Sequence, residues 1–478
     1  MSHARARSLI RKGCWAALAA LTAIASASPA FAHASDRGFV LLLPTGYYLF
    51  GGALAVALSF VVLVLVPAAP LERLTRCRHH VPGLPFDGRA AASVLSFLVL
   101  CALLWAGVAG SRDPLSNPLP LVFWTVWWVG FTLLVGVFGN LWRWLEPWYG
   151  PARLVLALMR REHERPPFAL PERAGYWPAI LLFVAFAWFE LVYPSPEDPF
   201  RLAVALAGYW LFSFAGILLF GHAAWTGRVE CFSVFFSMVS RVSPFFRSPD
   251  GALAVSLPGA RAAQADALPV SGALFLLLAL SSVSFDGLSR TFFWLDLLGI
   301  NPLEFPGRSA VLWSGTFGLL VSFGVLSGLF FLCVWLGEGL AGSRSRTAEA
   351  AGLLVWSLLP ISLAYHFSHY LIVLVINGQY ALAAISDPLS RGWNLFGTAG
   401  YHVLAGATAG HQSAWVIWNL QAAAIVLGHM LAVAIAHVAT CRLRGEAAVA
   451  TLAELPLATL MVAYTVFGLW LLSSPTGY

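Results

Sequence analysis

The chain has 478 residues, of which 59% are hydrophobic and only 10% charged, with 20 Trp. A soluble globular enzyme of this length would need far more charge on its surface, so the composition points to a polytopic membrane protein. The formal net charge of +6 includes Arg5, Arg7, Arg11 and Lys12 at the N-terminus, and no polar segment interleaves basic residues with stacking aromatics, which argues against nucleic-acid binding.

Residues 1–32 read as a cleavable export signal. The four basic residues are followed by an apolar stretch from Cys14 to Ile24 and by Ala30-Phe31-Ala32, a small-residue cleavage site. Removal makes His33 the new N-terminus of a single transmembrane helical domain, 33–478. Ten apolar runs follow: Gly46–Val66, Ala90–Gly110, Leu119–Asn140, Tyr176–Tyr193, Leu202–Gly221, Leu268–Phe285, Ala310–Gly337, Leu353–Ile376, Ala414–Thr440 and Leu452–Leu472. At ~1.5 Å per residue such runs match a hydrocarbon core of ~30 Å, so the expected fold is an all-α bundle of about ten spans. The third run is Trp-rich and the fourth is short.

Arginine sets the expected orientation. Loops 67–89, 141–175, 222–267, 338–352 and 441–451 hold eighteen Arg; the alternating set holds six. The first set is therefore assigned to the cytoplasm of a bacterial inner membrane, with the mature N- and C-termini external. Two cytoplasmic segments, Arg153 to Arg165 and Val229 to Phe246, read as helices lying on the membrane surface; in the second, Phe232, Phe235, Phe236, Val239 and Val242 carry the apolar spacing. No cysteine falls in an external loop, so no structural disulfide is expected. Gly324-x-x-x-Gly328 and Gly107-x-x-Gly110 suggest close helix packing.

The external loops contain Tyr193-Pro194-Ser195-Pro196-Glu197-Asp198-Pro199, Asn301-Pro302 and a long stretch from Asn377 to Gln412. The candidate chemistry lies at this side. Tyr365-His366-Phe367-Ser368-His369-Tyr370 sits in the outer half of the eighth run, past Pro360, whose missing N–H favours a kink. Ionisable side chains at membrane depth are costly and normally face an interior or a cavity. His366 and His369 are three apart and share a helix face, with Tyr365 near it. His33, His402, His411 and His429 can approach the same outward-facing cavity, with Gln379, Asn419 and Gln421 nearby. Glu190 and Asp286 are the acidic residues nearest to it; Asp286 can pair with Arg290 or orient an imidazole. Asp296, Glu304 and Asp387 are further external acids. His79, His80 and His163 fall in basic loops and read as solvated.

Three readings of the His366/His369 pair stay open. Imidazoles at this spacing suit a zinc or copper site, and a free N-terminal His33 would add a chelating amine and ring. The pair can instead handle protons or a ligand without metal, or bond structurally across helices. No phosphate-binding loop, G-x-S-x-G, H-E-x-x-H or dinucleotide fingerprint is present.

Several segments resemble bacterial membrane proteins of the fenitrothion hydrolase family: His33 to Tyr48 with Leu42-Leu43-Pro44-Thr45-Gly46-Tyr47-Tyr48, Phe232-Ser233-Val234-Phe235-Phe236, Ser284-Phe285-Asp286-Gly287, Ala364 to Tyr370 with Asn377-Gly378-Gln379, and Ser386-Asp387-Pro388 with Gly392-Trp393-Asn394-Leu395-Phe396-Gly397. The resemblance runs over nearly the whole mature chain. It implies hydrolysis of a small apolar organophosphorus triester or phosphorothioate, releasing a nitrophenol. The H-x-H ligand pattern of soluble binuclear phosphotriesterases is absent, so a metal centre would rest on His366, His369 and a third histidine, with Tyr365, Asp286, Gln379 and Asp387 in support. Two other classes remain: a metal-handling or small-solute transport protein, and an accessory subunit packed against another membrane protein.

Overall fold

In a bilayer no water is available to backbone N–H and C=O groups, so a spanning segment must pair them internally and the apolar runs become helices. The computed structural model describes residues 45–65, 68–81, 88–160, 166–248, 251–301, 307–408, 410–445 and 447–474. Among them, ten helices are long and apolar enough to cross a membrane. With one short helix counted in chain order, they are α1 (Thr45–Leu65), α2 (Arg89–Ala109), α3 (Pro118–Phe138), α4 (Trp177–Leu191), α5 (Pro199–Phe220), α6 (Cys231–Val239, the short one), α7 (Val270–Ser289), α8 (Leu312–Leu340), α9 (Leu358–Ser386), α10 (His411–Arg444) and α11 (Ala447–Ser473). The all-α bundle expected from the runs is what the structure shows. The export signal and His33 lie outside the described residues.

The most enclosed helix is α7, buried almost continuously from Ser271 to Asp286. It packs against α4, α8 and α9; α9 in turn contacts α3 and α10, and α11 contacts α1, α8 and α10. The outer helices keep apolar ridges exposed, such as Leu58 and Val62 on α1, Leu95 and Leu98 on α2, and Val321 and Val325 on α8. Facing hydrocarbon, these ridges need no cover. At the arginine-rich end, β1 (His79–Val81), β2 (Phe245–Arg247) and β3 (Leu253–Val255) form an antiparallel sheet in the order β1-β3-β2, Val255 pairing with both His79 and Phe245. His79 and His80 are exposed there, as solvated histidines should be; His163 lies outside the described residues.

Three sequence expectations need correction. Helix α6 does not lie on a surface: every residue but Ser237 is buried, with Phe232, Phe235 and Phe236 packed among Trp127, Trp128, Phe131 and Trp142. Val234 and Met238 make it apolar all round, the pattern of a core helix, and the Glu230 carboxylate caps its start through the Phe232 and Ser233 amides. The eighth span does not end at Ile376. No breaker follows until Asp387-Pro388, so α9 runs on past Asn377 and Gln379 to Ser386. Finally, a side chain on Gly324 or Gly328 would meet nothing within 4 Å, whereas Gly337 faces the Ala453 carbonyl of α11, 1.9 Å from where a Cβ would sit. The close helix approach lies about two and a half turns beyond Gly328 along α8.

Candidate functional site

The site begins in α3. Leu121–Phe131 is wound as a π-helix, whose wider turns displace carbonyls from the regular ladder. The Trp128 carbonyl accepts from the Thr132 hydroxyl at 2.5 Å and from Nε2 of His366 at 3.2 Å. The Trp128 indole N–H donates to Oε1 of Glu190, near the end of α4, at 2.8 Å. His366 is buried and thus tied to α3.

His369, one turn on, faces α7 instead. Its Nε2 lies 2.7 Å from Oδ2 of Asp286. That oxygen also accepts from the Tyr370 hydroxyl at 2.8 Å, and Oδ1 pairs with Arg290 at 2.8 Å. The Tyr370 oxygen is 3.0 Å from Oε1 of Glu190 as well. The Tyr370 hydroxyl thus stands between the Asp286 and Glu190 carboxylates and ties α9 to both α7 and α4. Arg308 donates to the Glu190 backbone carbonyl at 2.9 Å.

These groups line a cavity of about 370 Å³ that reaches Pro196, Glu197 and Arg308, on the arginine-poor loops. Half-buried His369, Glu190 and Arg290 and buried Asp286, Tyr365 and Tyr370 stand on its wall, with Ser368 and Gln421. The last two clamp α9 to α10: Gln421 Nε2 donates to the Ser368 carbonyl at 2.6 Å, and the Ser368 hydroxyl donates to the Gln421 carbonyl at 2.9 Å. The Tyr365 hydroxyl donates to the Tyr464 carbonyl at 2.8 Å, in a notch that only Gly468 leaves open.

Of the residues singled out from sequence, Tyr365, His369 and Asp286 meet at this cavity, and His366 lies just beneath it, across the Tyr370 ring. His429 is fully buried under Tyr365 and Tyr464, with Nδ1 donating to Ile425 and Nε2 without a partner. His402 and Asp387 lie apart from it. His402 is exposed on the loop after α9, and Asp387 holds the Arg391 and Gly392 amides there. Gln379 stays on α9, where it accepts from the Leu404 amide. His411 begins α10, but its side chain, like all of His33, is outside the described residues. Sequence reasoning missed Tyr370, Trp128 and Arg308. Tyr370 follows His369 directly and is four after His366, a spacing that already marked it as a neighbour of both.

The Asp286–His369 pair fixes the imidazole by Nε2 and leaves Nδ1 without a hydrogen-bond partner among the described residues. A neutral ring held this way can take a proton at Nδ1 while the carboxylate stabilises the resulting cation. Of His, Cys, Asp and Glu side chains among the described residues, the group of three that can converge on a metal ion is elsewhere, at His437, Cys441 and Glu454. Searches against family models, curated proteins and solved structures find no match to this chain.

Proposed function

We propose that this protein is a membrane-embedded hydrolase of small neutral organophosphorus esters, working at its outer face with the Asp286–His369 pair as the base. The observation that carries this reading is the cavity wall itself: an imidazole anchored by a buried carboxylate, with Arg290 beside it and Arg308 at the cavity rim. The resemblance noted in the sequence supplies the substrate class. A greasy triester reaches the cavity from the outer leaflet. Nδ1 of His369 takes a proton from water as its oxygen bonds to phosphorus. The bond from phosphorus to the aryl oxygen breaks, and the nitrophenolate leaves with the electron pair. Positioned general-base action of this kind is worth ~10²- to 10⁴-fold, and guanidinium groups stabilise the charge that builds on the phosphoryl oxygen.

His369 is also the residue that would hold a zinc or copper ion at this cavity. Such an ion would polarise the phosphoryl or thiophosphoryl group.

The test is nitrophenol release from a nitrophenyl phosphotriester by purified, detergent-solubilised protein. Wild type should turn over, and His369→Gln should lose at least ~100-fold. Absence of turnover by wild type, or equal rates in the variant, would overturn the reading. A second reading, proton-coupled movement of a small solute, is favoured by one specific feature. His369, Asp286, Tyr370, Glu190 and Trp128 form a linked polar wall of the cavity, and buried His366 bonds to the Trp128 carbonyl beneath it. It predicts solute-driven proton uptake in proteoliposomes and no ester cleavage.

A further inference from the structure

At the opposite, arginine-rich end, α10 and α11 meet across the turn at Gly445. His437 and Cys441 stand one helical turn apart on α10, and Glu454 faces them from α11. All three are buried, at 2%, 4% and 2% exposure. Nδ1 of His437 lies 3.0 Å from Oε2 of Glu454, and Sγ of Cys441 lies 3.7 Å from Nε2 of His437. One ligand atom from each residue falls within 4.8 Å of the others. Oε1 of Glu454 has no hydrogen-bond partner, and the nearby Thr440 hydroxyl donates instead to the Ala436 carbonyl.

We infer that this triad is a buried binding site for a divalent transition-metal ion of the zinc class, which pins the α10–α11 hairpin. Three independent features converge. The thiol–imidazole separation of 3.7 Å is close to the ~3.5 Å subtended by a sulfur at ~2.3 Å and a nitrogen at ~2.0 Å in a tetrahedral zinc site. A buried carboxylate oxygen without a donor is the group that a cation would satisfy. Charge also balances: one thiolate and one carboxylate neutralise a divalent ion, and a neutral cluster is what a low-dielectric interior tolerates. The neighbouring cation is engaged elsewhere, since Arg444 pairs with Glu338 of α8. On binding, the Cys441 thiol releases its proton, sulfur gives a lone pair to the metal, and no redox change occurs. Three protein ligands are one short of a full tetrahedral shell, so water would complete the fourth position of this buried site.

This site is independent of the hydrolase reading, because none of the residues lining the outer cavity is a cysteine. The experiment uses full-length protein purified without chelators, stripped, and titrated with Co²⁺ and then Zn²⁺. Wild type should bind about one Co²⁺ with a thiolate-to-cobalt charge-transfer band that Zn²⁺ abolishes. Cys441→Ser should lose that band, and Glu454→Gln should weaken Zn²⁺ binding by ~10-fold or more. If wild type gives no charge-transfer band, or Cys441→Ser keeps it, the site does not exist and the triad is a buried hydrogen-bonded cluster. That decisive measurement is made on wild type, so misfolding of a variant cannot imitate it.

Discussion

Asp286 has both carboxylate oxygens committed, one to Arg290 and the other to His369 and Tyr370. Removing its charge leaves a largely enclosed guanidinium and an imidazole without their anion, and breaking a buried pair from one side typically costs ~3–5 kcal/mol. Because Arg290 keeps some solvent contact, Asp286→Asn is expected at the low end, about 3 kcal/mol. The measurement is unfolding of the detergent-solubilised protein; a change under ~1 kcal/mol would contradict the network. Gly468→Ala should be comparably harmful without touching charge, since its Cβ would fall 1.8 Å from the Tyr365 hydroxyl and displace a cavity wall. A shift in its unfolding midpoint no larger than that of an exposed Gly→Ala change would show that Tyr365 can move aside. At this scale the sequence was only partly legible. Two histidines three residues apart do share a face, yet their directions differ by about 60° around the axis. In a bundle where α9 touches α3, α7 and α10, that rotation is enough to send His366 to a carbonyl of α3 and His369 to a carboxylate of α7.

Helix lengths and positions follow closely from apolar runs, because hydrocarbon leaves the backbone no other option. Which face meets which neighbour does not follow, since lipid and protein interior are equally apolar and hydrophobicity no longer separates inside from outside. The glycines illustrate this. Gly324 and Gly328 have the spacing of a packing motif and open surroundings, while Gly337, without such a partner, seats α8 on the Ala453 carbonyl. Gly337→Ala should therefore force the two helices apart and lower the unfolding midpoint, whereas Gly324→Ala should be neutral or slightly stabilising through helix propensity. Equal effects would mean that the α8–α11 contact is looser than the structure shows. Helix α5 offers a pH-dependent counterpart outside the span. Asp198 caps its start by accepting from the Arg201 amide and pairs with Arg112. Burial alone would raise the Asp198 carboxyl; the Arg201 amide and the Arg112 guanidinium outweigh it and hold the group below its usual range. Its contribution is thus complete above the unfolded value of ~3.9 and is lost as pH falls through the lower folded value. Asp198→Ala should cost about 1 kcal/mol at neutral pH, and the difference from wild type should vanish under strong acid; a difference that persisted there would place the effect elsewhere.

For the molecule as a whole, arginine distribution and the two polar sites argue for a single vectorial arrangement. Eighteen Arg in one set of loops against six in the other support the proposal that the cavity end faces outward. Arginines of the richer set also stack on aromatic rings, Arg89 over Tyr149 at 3.8 Å and Arg344 over Trp335 at 4.4 Å. Such pairing keeps their charge at the headgroup level while the stems cover apolar surface. In the proposed arrangement the Asp286–His369 pair would meet external water, and the His437–Cys441–Glu454 triad would lie near the cytoplasm. Exposed Cys77, beside the arginine-rich helix Ala68–Arg76, is a native reporter of one side. Leu395→Cys, on the exposed loop after α9, reports the other. In intact spheroplasts a membrane-impermeant maleimide should label Leu395→Cys and leave Cys77 unmodified until the membrane is opened. The reverse pattern would place the cavity in the cytoplasm and remove access from the outer leaflet, on which the ester-hydrolysis proposal depends. It would leave the metal triad intact but turn it to the outside, where its thiol would need protection from oxidation by the bound ion.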